Sequence, residues 1–172
     1  MRTRYLLLLS VLIACSPADG GGGTGAEEQD AALATIVVVR HAEKGAGEDP
    51  GLTHVGRERA TRLRDRLAEA QVTAVYSTAT RRTQATAQPT ADHHGLPVEL
   101  YEPNDPQMIQ ALRATAIGNT VLVVGHSNTV PELVSKLVPR TTVPLIEEDD
   151  FGNLYCITLR EGRQPRLRQL RY

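Results

Sequence analysis

Short runs of aliphatic and β-branched residues recur along this chain, separated by stretches whose apolar positions fall three or four apart. Residues 36–39 (Ile-Val-Val-Val) and 121–124 (Val-Leu-Val-Val) are continuous apolar runs, which suit strands covered on both faces. Residues 72–76 read as a further strand, 98–101 as a short one, and 154–159 and 166–170 as two more near the end of the chain. Between them the pattern turns helical. Thr53 can cap a helix to about residue 70 in which Ala60, Leu63 and Leu67 form one buried stripe. A second helix over about 80–94 stops at Gly95, where a left-handed cap is easy. Asp105-Pro106 is a good start and Gly118 a good stop for a third, and a fourth covers about 130–137. Strands alternating with helices predict an α/β fold: a mostly parallel central sheet with helices on both faces. No internal repeat is evident.

The first thirty-odd residues do not share this pattern. Arg2 and Arg4 precede a mostly apolar run over residues 5–14, which is shorter than the roughly 20 residues a bilayer-spanning helix needs. The run ends in Leu12-Ile13-Ala14-Cys15, which resembles a bacterial lipobox, where the leader is cut before a cysteine that receives acyl chains. Residues 1–14 are therefore expected to be a lipoprotein signal peptide, and residues 15–32 a lipidated Cys15 followed by a tether. That stretch carries the run Gly20 to Gly23, Gly25, and the acidic pair Glu27 and Glu28, too little apolar surface to offset ordering. The folded domain is then residues 33–172. Ser16 follows the cysteine where an Asp would signal inner-membrane retention. The expectation is an exported protein held by lipid at the outer membrane, facing the periplasm or the exterior.

Composition narrows the partners. The formal net charge is −1 and the chain has no Trp, one Phe and five Tyr, so neither a global positive field nor stacking platforms favour nucleic acid. With Cys15 lipidated, Cys156 would be the one cysteine left, which excludes an intramolecular disulfide. Lying in a strand, it reads as a small buried apolar residue.

In parallel sheets ligands sit beyond the carboxyl ends of the strands, so the residues after each apolar run carry the functional question. Arg40, His41, Ala42, Glu43 and Lys44 follow the first run. Ser77 to Arg82 follow the second, and Gly125, His126, Ser127 and Asn128 follow the run at 121–124. Two imidazoles and two or more guanidiniums at one end of a sheet suit a phosphoryl group. Guanidinium forks match its oxygens, and a neutral imidazole can attack phosphorus and split hydrolysis into two steps. Neighbouring arginines help keep the attacking ring unprotonated.

These residues resemble the histidine phosphatase superfamily, the phosphoglycerate-mutase-like group. Arg40-His41-Ala42, within Arg-His-Ala-Glu-Lys, is similar to its Arg-His-Gly motif. Leu52-Thr53-His54-Val55-Gly56 with Ala60, and Tyr76-Ser77-Thr78 with Arg82, Thr86 and Ala87, are similar to two further motifs. Gly125-His126 is similar to its late Gly-His. The resemblance implies a three-layer sandwich and a phosphatase that needs no metal or other cofactor and acts on a small phosphorylated substrate. It makes His41 the nucleophile and completes the phosphate pocket with Arg40, Arg82 and His126. Arg81 is the alternative to Arg82 should the alignment slip by one. Ala42 departs from the family glycine. A general acid is harder to assign: Ser127 stands where some members carry an Asp, leaving Glu102, Asp105 and Glu43 as candidates.

Other readings explain less. His54, His93 and His94 read as surface or capping residues, and adjacent histidines lack the one-turn spacing of a metal pair. Residues 147–150 (Glu-Glu-Asp-Asp) read as a solvated loop that could border the pocket. Gly125-His126-Ser127-Asn128-Thr129 is similar to the nucleophile elbow of serine esterases, but no histidine follows His126 to complete a triad in the required order. A non-catalytic phosphate-ligand binding domain is the remaining alternative.

Overall fold

The computed structural model describes residues 34–172; the expected leader, Cys15 and tether lie outside the described residues. Six strands and four helices follow one another as β1 (Ala34–Arg40), α1 (His54–Leu67), β2 (Val72–Ser77), α2 (Arg81–His94), β3 (Val98–Leu100), α3 (Met108–Thr115), β4 (Thr120–Gly125), α4 (Thr129–Leu137), β5 (Asn153–Leu159) and β6 (Arg166–Arg171). They form one sheet in the order β3-β2-β4-β1-β5-β6. β1, β2, β3 and β4 run parallel, whereas β5 is antiparallel to β1 and β6 to β5.

The apolar runs at 36–39 and 121–124 are continuous because both faces of these central strands are covered. Ile36, Val38, Val121 and Val123 point to the side where Met108 and Leu112 of α3 and Val130, Leu133, Val134 and Leu137 of α4 pack. Val37, Val39, Leu122 and Val124 point to the other side, against Leu63 and Leu67 of α1 and Ala87 and Ala91 of α2. The stripe expected on α1 is buried as its spacing required, with Ala60, Leu63 and Leu67 almost wholly inaccessible.

Local signals set most boundaries. The Thr53 hydroxyl accepts from the Gly56 amide at 3.1 Å and starts α1. Gly95 takes φ 66° and ends α2, a conformation that costs glycine little. α3 begins two residues later than Asp105-Pro106 suggests. The Asp105 carboxylate accepts from the Gln107 amide at 2.8 Å, and this side-chain turn holds residues 105–107 outside the helix. Cys156 is only partly buried, packed at the margin of the α1–α2 side, and burial raises its thiol pKa.

Candidate active site

The sheet order puts the ends of β1 and β4 side by side. Arg40 pairs in register with Gly125, and the His41 amide donates to the Gly125 carbonyl at 2.9 Å. The two residues that follow these strands, His41 and His126, are thereby forced together, with ring centroids 5.5 Å apart and planes at 66°. On the far side of β4, β2 ends at Ser77, and the chain passes through Thr78 into α2, whose first turn carries Arg82. Arg40, His41, Arg82 and His126 all line one cavity of about 240 Å³, together with Lys44, Ser127, Asn128 and Glu148. Four side chains from three separate stretches of chain converge. Arg81 is exposed and does not line the cavity, so Arg82 holds the position that the motif spacing gave it.

The His41 ring is fixed in one tautomer. Its Nδ1 lies 2.8 Å from the Ala42 carbonyl, and a carbonyl only accepts, so Nδ1 carries the proton and Nε2 keeps a lone pair. The ring is 3% exposed. Burial pushes its pKa down to about 4, the bond to Ala42 opposes this, and the charges of Arg40 and Arg82 with His126 push it further down. His126 is also held at about 4, by burial first and then by Arg82 and Arg40. Both imidazoles are neutral at neutral pH.

Arg40 is held without a carboxylate partner, and Arg82 meets one only at long range. Arg40 is 3% exposed; its Nη1 donates to the backbone carbonyls of Glu147 at 2.6 Å and Asp150 at 3.2 Å, and its guanidinium lies 4.3 Å from the Phe151 ring centroid. Arg82 reaches the His126 Nδ1 at 3.4 Å and the Asp49 carboxylate at 3.5 Å. The Nε atoms of Arg40 and Arg82 are buried with no acceptor among the described residues. Unmet donors in a cleft favour an anion.

Beside His41, the Ala42 amide donates to the Thr86 hydroxyl at 3.0 Å, and that hydroxyl donates to the Arg82 carbonyl at 2.8 Å. Thr86 therefore ties the loop after β1 to α2. Ala42 is fully buried. The acidic loop before β5 does border the cavity, through Glu148.

None of the three carboxylates considered as general acid lines the cavity. Glu43 is clamped by Arg59 (Nε to both carboxylate oxygens at 3.0 Å, Nη2 at 2.6 Å). Burial alone would raise its pKa, but the bonds from Arg59 outweigh it and hold the group below its ordinary value. It has no proton to give at neutral pH. Asp105 caps the Gln107 amide and is exposed, as is Glu102. Among the lining residues Glu148 is the carboxylate that is present.

Sequence reasoning left Thr78, Phe151 and Asp49 without roles. Thr78 and Thr86 stand inside the quoted motif, and Thr86 lies one helical turn from Arg82, a spacing that places both on one face. Phe151 is the only Phe in the chain and directly follows the acidic run. Nothing in the sequence marks Asp49. His54 is exposed beside Glu58 at 3.4 Å, and His94 bonds the Leu67 carbonyl at 3.1 Å, so neither belongs to the site.

The family model described as histidine phosphatase superfamily (branch 1) matches residues 36–103. No curated protein is similar enough in sequence to register as a relative. Among solved structures, the protein histidine phosphatase SixA complexed with tungstate superposes with a TM-score of 0.65 at 22% identity, over 80% of this chain and 96% of that one. Mycobacterial glucosyl-3-phosphoglycerate phosphatase superposes in its complex with VO3 with a TM-score of 0.62 at 15% identity, over 81% and 98%. The same enzyme with inorganic phosphate gives 0.58 at 14% identity, over 81% and 96%. The matched segment runs from the strand that carries Arg40 past β3, and the shared fold extends over four fifths of the molecule. Residues 36–103 match the histidine phosphatase superfamily model, and the described domain shares its fold with solved histidine phosphatases.

Proposed function

We propose that this domain hydrolyses phosphomonoesters or phosphohistidine through a covalent phosphoryl group on His41, without a metal ion. The observation that carries the reading is the His41 tautomer: with Nδ1–H on the Ala42 carbonyl, the Nε2 lone pair is the free nucleophile of a ring that stays neutral at pH 7. Nε2 attacks phosphorus, the bond to the leaving atom breaks, and that atom departs with the electron pair. Water then attacks the phosphoryl group and the N–P pair returns to Nε2. Arg40 and Arg82 stabilise the charge that spreads over the equatorial oxygens. The solved relatives complexed with tungstate, VO3 and phosphate support an oxyanion as the ligand of this fold. The Arg59 clamp on Glu43 favours a leaving group that needs little help from an acid, and a phosphohistidine already protonated on its ring fits that requirement.

The leader and Cys15 point to an exported enzyme held by lipid at the envelope; radiolabelled palmitate should enter the wild-type chain and not Cys15→Ser. For the chemistry, the test is rapid quenching with a ³²P-labelled substrate, after a screen of sugar phosphates, nucleotides, phosphopeptides and phosphohistidine. Acid-labile label should appear on the wild type, and His41→Ala should lose both label and turnover, by roughly 10⁴-fold or more. Undiminished hydrolysis by His41→Ala would remove the mechanism. Binding of phosphate without any labelling would leave a ligand-binding domain instead.

A further inference from the structure

The second imidazole is fixed as firmly as the first, and the way it is fixed decides what it can offer a phosphoryl group. His126 Nδ1 lies 3.4 Å from Arg82 Nη2. A guanidinium donates and cannot accept, so Nδ1 meets it as a lone pair. His126 Nε2 lies 2.9 Å from the Thr78 hydroxyl, and in the neutral ring it must carry the proton and donate to that oxygen. The chain of donors continues consistently. The Thr78 hydroxyl donates to the Thr83 hydroxyl at 3.0 Å, and Thr83 donates to the carbonyls of Thr78 and Thr80, each at 2.9 Å. Thr78 is 5% and Thr83 0% exposed, so no solvent competes for these groups. The backbone is fixed as well: the His126 amide donates to the Thr129 hydroxyl at 2.9 Å.

The groups around this ring leave the assignment in place. Arg40 and His41 from the end of β1, Lys44 from the loop after it, Arg82 from α2 and Glu148 from the loop before β5 share its cavity. Tyr101, after β3, is buried behind it against Thr129. The nearest of these, Arg82, is the donor that keeps Nδ1 unprotonated.

An arriving phosphoryl group therefore faces lone pairs, not N–H donors, on both rings: Nε2 of His41 and Nδ1 of His126. A lone pair against an anionic oxygen is repulsive, and a proton placed between them turns the contact into a charge-assisted hydrogen bond. We propose that Thr78 is a positioning residue that holds His126 with Nδ1 unprotonated, so that the site binds a phosphoryl group together with one proton, shared between Nδ1 and a phosphoryl oxygen. The proton comes from solvent or arrives on the phosphate. In either case Arg82 is released from the ring to donate to the ligand. The inference rests on the cavity being a phosphate site, as proposed above.

Calorimetric titration of the full-length protein with inorganic phosphate at about pH 8, in two buffers of different ionisation enthalpy, counts the protons taken up. The wild type should take up about one proton more per phosphate than Thr78→Val, because the freed ring of the variant can adopt the Nδ1–H form and donate to the dianion unaided. Thr78→Ser keeps the hydroxyl and should restore the wild-type value. Equal uptake by wild type and Thr78→Val would place the proton elsewhere, on His41 for example, and overturn the proposal. ¹⁵N spectra of the phosphate-free wild-type histidines need no variant: an Nε2–H form of His126 is expected, and an Nδ1–H form would equally overturn it. Failure of the wild type to bind phosphate at all would instead defeat the phosphatase reading on which this rests.

Discussion

Replacing Gly56 by Ala is the sharpest test of how α1 is joined to the loop that follows His41. A Cβ at this position would lie 2.2 Å from the Glu43 carbonyl oxygen and 3.1 Å from its carbonyl carbon and amide nitrogen. A non-bonded carbon and oxygen sit about 3.3 Å apart or more, so something must yield by roughly 1 Å. Glu43 cannot retreat freely. Its carbonyl accepts from the Thr53 amide at 2.9 Å, its carboxylate is clamped by Arg59, and the preceding amide is bonded to Thr86. Overpacking against fixed backbone costs about 1–3 kcal/mol or somewhat more, and loss of the bond from Thr53 adds about 1 kcal/mol. The better helix propensity of Ala returns about 0.5–1 kcal/mol. The net expectation is a loss of about 1–3.5 kcal/mol, which at a urea m-value of about 2 kcal/mol/M lowers the unfolding midpoint by roughly 0.5–2 M. Gly51→Ala is the control. A Cβ there meets nothing within 4 Å and the φ is not positive, so its stability should change by no more than about 0.5 kcal/mol. A Gly56→Ala midpoint within about 0.5 M of wild type would refute this account of the contact.

Thr86→Val keeps shape but strands the buried Ala42 amide without an acceptor, which should cost about 1–3 kcal/mol and lower kcat by loosening the residue next to His41; unchanged thermal unfolding would contradict it. Asp49→Asn removes a carboxylate that competes for Arg82 at 3.5 Å. The pair is half exposed, so stability should shift by less than about 1 kcal/mol, while KM for a phosphomonoester should fall about two- to threefold; a raised KM would show that Asp49 aids binding. Acid should destabilise the ligand-free domain through its two neutral rings. Both have folded pKa values near 4 against a reference value of 6.5, so the unfolded chain binds more protons between those limits. The stability these rings confer is intact above pH 6.5 and falls as pH drops toward 4, by on the order of 3 kcal/mol per ring. Urea unfolding of the wild type and His41→Asn across that range should show a shallower pH slope in the variant, and equal slopes would disprove it.

The strands and the residues that converge on the cavity were legible because each had a local signal. The runs at 36–39 and 121–124 announce doubly covered strands, and Arg40-His41 and Gly125-His126 stand directly after them. What the runs do not encode is their order: a Val-rich strand will pair with any other. Yet it is the insertion of β4 between β1 and β2 that brings His126 to His41. The general acid stayed open among Glu43, Glu102 and Asp105 for a similar reason. Glu43 is close in sequence to His41, but its partner, Arg59, is sixteen residues away on α1, and a partner of that kind is invisible until the helix is docked. The acidic run at 147–150 is the exposed loop at the cavity's edge that its side chains suggested, but one of its contributions was hidden. Its backbone carbonyls also hold Arg40, and carbonyls have no signature in a sequence.

The contrast between Arg40 and Arg59 explains why that choice of partner suits the site. Arg59 meets a carboxylate on two of its nitrogens and is raised in pKa by it; its charge is cancelled, and it serves to fasten α1 to the loop after β1. Arg40 is more deeply buried, and a carboxylate would be the ordinary remedy for a charge out of water. Such a partner would compete with a phosphoryl group for the same nitrogens. The protein instead surrounds the guanidinium with two carbonyl dipoles and the face of Phe151, which stabilise a cation without supplying a counter-charge. Glu148, Asp150 and Asp149 act on it only through space. Phe151→Ala should therefore weaken oxyanion binding even though Phe151 does not line the cavity, because the positive charge that draws the anion depends on what holds Arg40 from behind.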